Sequence, residues 1–223
     1  MSPTEGTVVA AHGRHYEVET DGGARWQAVP LGKRSIYACG DRVHLELAAS
    51  GQARLLDHLP RASLLYRSDE WKQKLIAANA TQVLLVVATE PAFSGELLSR
   101  ALVAADHEHL RTVIVLNKCD LTPGLGAARR ALAPFRQLGL PVVEMAAKQD
   151  VAPLASWLLG QVSVLVGQSG MGKSTLINTL VAGAEAATRE ISSSSRVLIS
   201  TELQTNRWHR NSLRKRCRAT MSL

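Results

Sequence analysis

A chain of 223 residues, 46% hydrophobic and 20% charged, has the make-up of an ordinary water-soluble protein with one large domain or two small ones. It holds no apolar run near the roughly 18 to 20 residues of a membrane-spanning helix; VLLVVA (Val83 to Ala88) and VSVLVG (Val162 to Gly167) have strand length. The opening MSPTEGTVVA lacks the basic and apolar regions of a secretory signal. Cys39, Cys119 and Cys217 lie too far apart for a C-x-x-C knuckle or a paired disulfide framework. A cytoplasmic protein with reduced thiols is expected. The net charge of +7 is concentrated late: from Ile191 onward, seven basic residues (Arg196, Arg207, Arg210, Arg214, Lys215, Arg216, Arg218) face one acid, Glu202. Such a segment either binds phosphate backbones, with Arg214 to Arg218 as the densest cluster, or stays disordered.

In chain order, residues 1–60 read as a small β-barrel. The strand-like runs GTVVAAHG, HYEVET, RWQAVP and DRVHLEL are separated by turn signals at Asp21 to Gly23, Gly32 to Ser35 and Cys39 to Asp41. An OB-type and an SH3-like barrel both fit this spacing. Arg14, His15, Arg25, Trp26, Lys33 and Arg34 mix basic groups with an aromatic, as a nucleic-acid-binding face or simply a solvated one would.

A polar connector, LPRASLLYRSDEWKQKLIAANATQ, leads to alternating strands and helices, the pattern of a parallel α/β sheet. The expected elements are strand VLLVVA, a helix over Ser94 to His109, strand RTVIVLNK, a helix near Ala127 to Leu138, and strand PVVEMAA. A short helix near Val151 to Leu159, strand VSVLVG and a helix from Lys173 to Val181 complete the series.

Two motifs carry chemistry. G-x-x-x-x-G-K-S is met by Gly167, Gly172, Lys173 and Ser174 between a strand and a helix, the setting a phosphate-binding loop requires. Its glycines let the amides of Gly167, Gln168, Ser169, Gly170, Met171 and Gly172 turn toward phosphate oxygens, helped by the following helix N-terminus. Lys173 neutralises the β and γ phosphates, and Ser174, followed by Thr175, offers a hydroxyl to Mg²⁺. N-K-x-D stands at Asn117, Lys118, Cys119 and Asp120, at the end of an apolar strand where open α/β sheets bind ligands. Asp120 accepts two hydrogen bonds from guanine N1–H and its 2-amino group, which adenine does not offer. Asn117 meets the guanine edge or ties its loop to the phosphate loop, and the Lys118 stem lies along the ring. In EMAAK, an amide at Ala146 or Ala147 is placed to meet guanine O6.

Base reader before phosphate loop is a circular permutation of the usual order in GTP-binding proteins. With the N-terminal barrel, it resembles the RsgA (YjeQ) family, the circularly permuted GTPases dependent on the small ribosomal subunit. The likeness runs from about residue 6 to Ile191 and includes RHYEVE, KRSIYACGDRV, SLLYRSDEWKQKLIAAN, VVATEP, VLNKCDL and GQSGMGKSTLIN. It implies an OB-fold barrel over 1–60 and a permuted P-loop GTPase domain over 61–191. It further implies GTP or GDP with Mg²⁺ as cofactor, slow GTP hydrolysis stimulated by the 30S subunit, contact with 16S rRNA during late 30S maturation, and a monomer in the cytoplasm.

After the phosphate-loop helix the pattern departs. The family's His-Thr-Thr run, its D-x-P-G motif and its zinc-binding cysteines and histidine are not found in SSSSRVLISTELQTNRWHRNSLRKRCRATMSL, so no catalytic residue is assigned and zinc ligands are absent. Residues 192–223 read as an atypical basic tail, as a truncation or a change of reading frame near Ser192 produces. Without the later strands, VSVLV is expected as an unpaired edge. Three functions stay open: a ribosome-assembly GTPase, a nucleotide-dependent RNA-binding module without turnover, and a non-functional product.

Overall fold

The computed structural model describes residues 3–32, 36–48, 51–68, 73–186 and 196–202. Lys33 and Arg34 of the basic barrel set, and the cluster Arg214 to Arg218, lie outside the described residues.

Five strands close the N-terminal barrel: β1 (Thr4–His12), β2 (His15–Thr20), β3 (Arg25–Pro30), β4 (Arg42–Leu47) and β5 (Gln52–His58). Their order is β1-β2-β3-β5-β4, with β3 parallel to β5 and β4 returning to β1. That order is an OB-type Greek-key barrel and excludes the SH3-like alternative. Period-two alternation turns Val8, Tyr16, Val18, Ala28, Val43, Leu45, Ala53 and Leu55 inward, where Tyr37 joins them edge-to-face with Tyr16 at 5.6 Å between ring centres. Strand β5, QARLLDH, is the one the sequence patterning missed. On the outer surface Arg14 and Arg25 are committed locally, Arg14 to the Gly32 carbonyl and Arg25 to Glu19, while Trp26 packs partly against the core.

The expected polar connector is instead a β-hairpin of β6 (Leu64–Ser68) and β7 (Gln73–Ala78). The charged sequence between them hides two short strands whose apolar residues are too few to show a period. This hairpin joins the barrel to the sheet. Asp41, fully buried, receives two 2.6 Å hydrogen bonds from Arg61 and one of 2.7 Å from the Ala38 amide. Asn79, at φ +55, donates to the Gly40 carbonyl and accepts from the Ala62 amide.

The second unit is a parallel sheet in the order β10-β9-β8-β11-β12. Its strands are β8 (Gln82–Ala88), β9 (Arg111–Asn117), β10 (Val142–Glu144), β11 (Val162–Gly167) and β12 (Arg196–Glu202). Successive β8 residues face opposite layers. Val83, Leu85 and Val87 meet α1 (Gly95–His107) and α2 (Thr122–Gln137); Leu84, Val86 and Ala88 meet the layer of α3 (Ala155–Leu158) and α4 (Lys173–Ala186). Burial on both faces explains why these strands read as continuous apolar runs.

Helix α2 starts at Thr122, earlier than expected, because Gly124 and Gly126 weaken the helical signal. Gly124 is there for closeness: a Cβ would stand 2.6 Å from the Thr89 carbonyl oxygen. The expected edge position of VSVLV is corrected as well. Strand β12 lies parallel to β11 from Val162↔Arg196 to Gly167↔Glu202 and supplies its missing ladder, since RVLIS carries the β-branched residues a strand needs. No described helix is long and apolar enough to cross a membrane.

Asp41→Ala leaves Arg61 and the Ala38 amide without their partner inside the joint. It is expected to lower stability by about 3 kcal/mol, read as the shift in a urea unfolding curve of the full chain.

Candidate functional site

Both motifs meet at the C-terminal ends of the parallel strands. Strand β9 delivers Asn117, and the register Ala88↔Asn117 sets it beside the small last residue of β8, so its side chain reaches across to the loop after β11. Asn117 is 2% exposed. Its Nδ2 donates to the Met171 carbonyl at 3.0 Å, while its Oδ1 accepts from the amides of Lys118 at 2.8 Å and Ala147 at 2.9 Å. Of the two roles open to it, Asn117 has the tie between loops. It takes up the Ala147 amide expected to point at the base.

Lys118 sits at φ +60, stabilised by Thr89, whose hydroxyl donates to the Lys118 carbonyl at 2.8 Å. The Lys118 ammonium donates to the Glu90 carbonyl at 2.7 Å, which stretches its stem along the cavity wall. Cys119 points away from the cavity and donates to the Leu116 carbonyl, and burial pushes its thiol up from the ordinary range. Asp120 is exposed at the cavity mouth with no change of burial to protect it.

In the phosphate-type loop, Gly170 and Gly172 take φ +80 and +85, a region that disfavours any side chain. A Cβ on Gly172 would collide with Asn117 Nδ2, and one on Gly167 with the Val86 carbonyl oxygen. Met171 is buried and anchors the loop from below. The Lys173 ammonium donates to the carbonyls of Gly167 at 2.9 Å and Gln168 at 2.8 Å, closing the loop on itself. Helix α4 then begins with Ser174 exposed and Leu176 donating to the Gly172 carbonyl. Ser169 is exposed at the loop tip. The Gln168 side chain turns outward, its Oε1 accepting the Ser94 amide at 2.6 Å at the N-cap of α1.

Together Asn117, Lys118, Asp120, Leu121, Ala147, Lys148, Gly172 and Thr175 line one cavity of about 170 Å³. Its lining combines a carboxylate, the first turn of a helix and lysine stems, a set of groups suited to a planar polar ring joined to an anion. Ala147 and Lys148 reach the cavity from the segment after β10. Glu144 of β10 is clamped by Arg129 and Arg136 of α2, and the hydrogen bonds from Arg129 hold its carboxyl below the usual carboxylate range.

Sequence patterning missed Thr89, the Gln168 side-chain bond and Thr179, whose hydroxyl reaches the Ala147 carbonyl. Thr179 stands one helical turn past Thr175, a spacing that could have pointed to it. Among the described residues no three of His, Cys, Asp and Glu come together to hold a metal, so the zinc implied by the resemblance has no ligand set there.

Comparison with known proteins is consistent with this geometry. The family model described as RsgA GTPase matches residues 58–197, which carries the likeness into β12. A protein of Paraburkholderia phytofirmans named small ribosomal subunit biogenesis GTPase RsgA is 55% identical over 192 residues, covering 84% of this chain and 61% of its own. One of the same name from Burkholderia pseudomallei is 52% identical over 193 residues, with 84% and 62% covered. The chain therefore spans about three-fifths of the length of these relatives. The crystal structure of YjeQ from Thermotoga maritima superposes with a TM-score of 0.62 at 30% identity, over 81% of this chain and 66% of that one. That of YloQ, a circularly permuted GTPase, gives 0.58 at 25% identity, over 88% and 70%. With the family match covering well over half of its residues, and with the permuted motif order on one sheet, the chain belongs to the RsgA GTPase family.

Proposed function

We propose that this chain binds guanine nucleotide in the cavity between Asp120 and Thr175 and acts as a GTPase in small ribosomal subunit biogenesis. One observation carries the proposal above the others: Asn117 bonds the base-side wall at Ala147 and the phosphate-side loop at Met171 at the same time. Base end and phosphate end are thereby held at a fixed separation, as a ligand with both parts requires.

In this assignment Asp120 accepts the paired donors of guanine, and the Lys118 stem flanks the ring. The amides from Gly167 to Gly172 face the phosphates, with Lys173 exchanging the Gly167 and Gln168 carbonyls for charged phosphate oxygens. The exposed Ser174 hydroxyl, at the first turn of α4, is the group suited to hold Mg²⁺, which when bound supplies positive charge to the β and γ phosphate oxygens. No residue is assigned to orienting the attacking water. The names of the relatives support the small ribosomal subunit as partner; contact with its 16S rRNA is part of the proposal. The chain acts as a monomer in the cytoplasm.

A second assignment, nucleotide binding without turnover, is favoured by the missing D-x-P-G run after the phosphate loop. Two measurements on the purified full chain separate them. Labelled GDP is expected to be displaced by GTP and not by ADP or ATP; displacement by the adenine nucleotides at equal concentration would remove Asp120 from base reading. Phosphate release that rises on adding 30S subunits supports the GTPase, whereas tight GDP binding with no release under either condition supports the binding module.

Gly172→Ala forces a Cβ onto the Asn117 amide at φ +85. It is expected to weaken GDP binding at least about tenfold while the barrel, which is remote, keeps its fold. Fluorescence titration with labelled GDP, paired with the near-ultraviolet spectrum of Tyr16 and Tyr37, reads both effects.

A further inference from the structure

We infer that Thr179 is a positioning residue for the base-side wall of the cavity. The inference rests on the guanine-nucleotide assignment above. Both backbone groups of Ala147 are held by side chains from other elements: its amide by Asn117 Oδ1 at 2.9 Å and its carbonyl by Thr179 Oγ1 at 3.0 Å. Ala147 and its neighbour Lys148 line the cavity together with Lys118 and Asp120. Their height over the ring is therefore set by one residue of the base motif and one residue of the phosphate-loop helix.

The Thr179 hydroxyl carries a single hydrogen and faces two carbonyls, that of Ala147 and that of Thr175 at 2.9 Å, one turn back on α4. A bond to the carbonyl four residues earlier is common for threonine in helices and needs no partner outside the helix. What sets Thr179 apart is the second acceptor, 32 residues away in sequence. Leu176, Ile177 and Leu180 around it are apolar and pack into the core, so the hydroxyl supplies a directional hydrogen bond from α4 to the loop that Asn117 holds from the other side. Thr175, which shares that hydroxyl, itself lines the cavity. The wall that meets the base is thus carried by the helix that meets the phosphates. A ligand with base and phosphates gains from this arrangement, while one with phosphates alone does not touch the wall.

The test compares wild type with Thr179→Val, which keeps the shape and removes the hydroxyl, and Thr179→Ser, which restores it. GDP and inorganic tripolyphosphate, a probe with no base, are each titrated against the full chain, and the thermal midpoint is recorded. Thr179→Val is expected to bind GDP about three- to tenfold more weakly, with tripolyphosphate affinity unchanged, the midpoint lowered by only a few degrees as the Ala147 carbonyl loses its donor, and Thr179→Ser like wild type. Unchanged GDP affinity overturns the inference. Equal losses for both ligands, or a valine variant that no longer folds, place Thr179 in the stability of α4 and overturn it too. If wild type itself binds tripolyphosphate but not GDP, the guanine assignment falls and takes the inference with it; GDP binding by wild type with an unaffected valine variant sinks the inference alone.

Discussion

The buried carboxamide of Asn117 is the joint on which the site depends. Three backbone groups from three segments, at Lys118, Ala147 and Met171, are satisfied by one side chain that is itself 2% exposed. Losing it would strand a buried amide and a buried carbonyl, each at about 1 to 3 kcal/mol. The joint also dictates its neighbours. Residue 172 must be glycine, since a Cβ there would collide with Asn117 Nδ2. None of this depends on which motif comes first in the chain. Strand neighbours set the geometry, so permuting the order of the segments leaves the joint intact.

That dependence on neighbours marks the limit of what patterning could read. The strand, glycine loop and helix of the phosphate-type loop were legible because their spacing is local. The buried strands were legible too, as runs such as VLLVVA have no polar face to confuse them. Thr89, Gln168 and Thr179 were not, because each bonds a backbone group far away in sequence and carries no local signature. The same cause hid the hairpin of β6 and β7. Its strands are short, the sequence between them is charged, and it is tied to the barrel side by the Cys39–Ala77 bridge and by Asn79 and Arg61.

The pairing of β12 with β11 alters the physical standing of the phosphate-loop strand. Strand β11 carries Val164, Leu165 and Val166, all fully buried, and an open edge there would expose an unpaired ladder beside the loop. With β12 in register up to Gly167↔Glu202, the ladder continues to the first residue of the loop. The register shifts between Val164 and Val166, so β12 fits one more residue than β11 over that stretch, as a bulge does. A segment that departs from the family pattern in sequence can still occupy this place, because ladder pairing asks for backbone and β-branched side chains and not for a motif.

Helix α1 links this loop to the barrel by contacts at both of its ends. At its start, Gln168 of the phosphate loop accepts the Ser94 amide, and Ser94 in turn caps the helix by accepting the Leu97 amide. Just past its end, Glu108 accepts the Leu64 amide of β6, and the same hairpin holds Gly40 and Asp41 of the barrel through Asn79 and Arg61. Between these ends, Leu97, Leu98, Ala101, Ala104 and Ala105 are buried against the sheet, which resists sliding of the helix along its axis. A shift of the loop that carries Gln168 with it must either break the cap bond or press on the helix, and the helix meets the hairpin before it meets solvent. The barrel is for this reason not a module appended to the sheet by a tether. The hairpin connects it to the helix whose cap bonds Gln168 of the phosphate loop, through the Glu108–Leu64, Asn79–Gly40 and Arg61–Asp41 bonds.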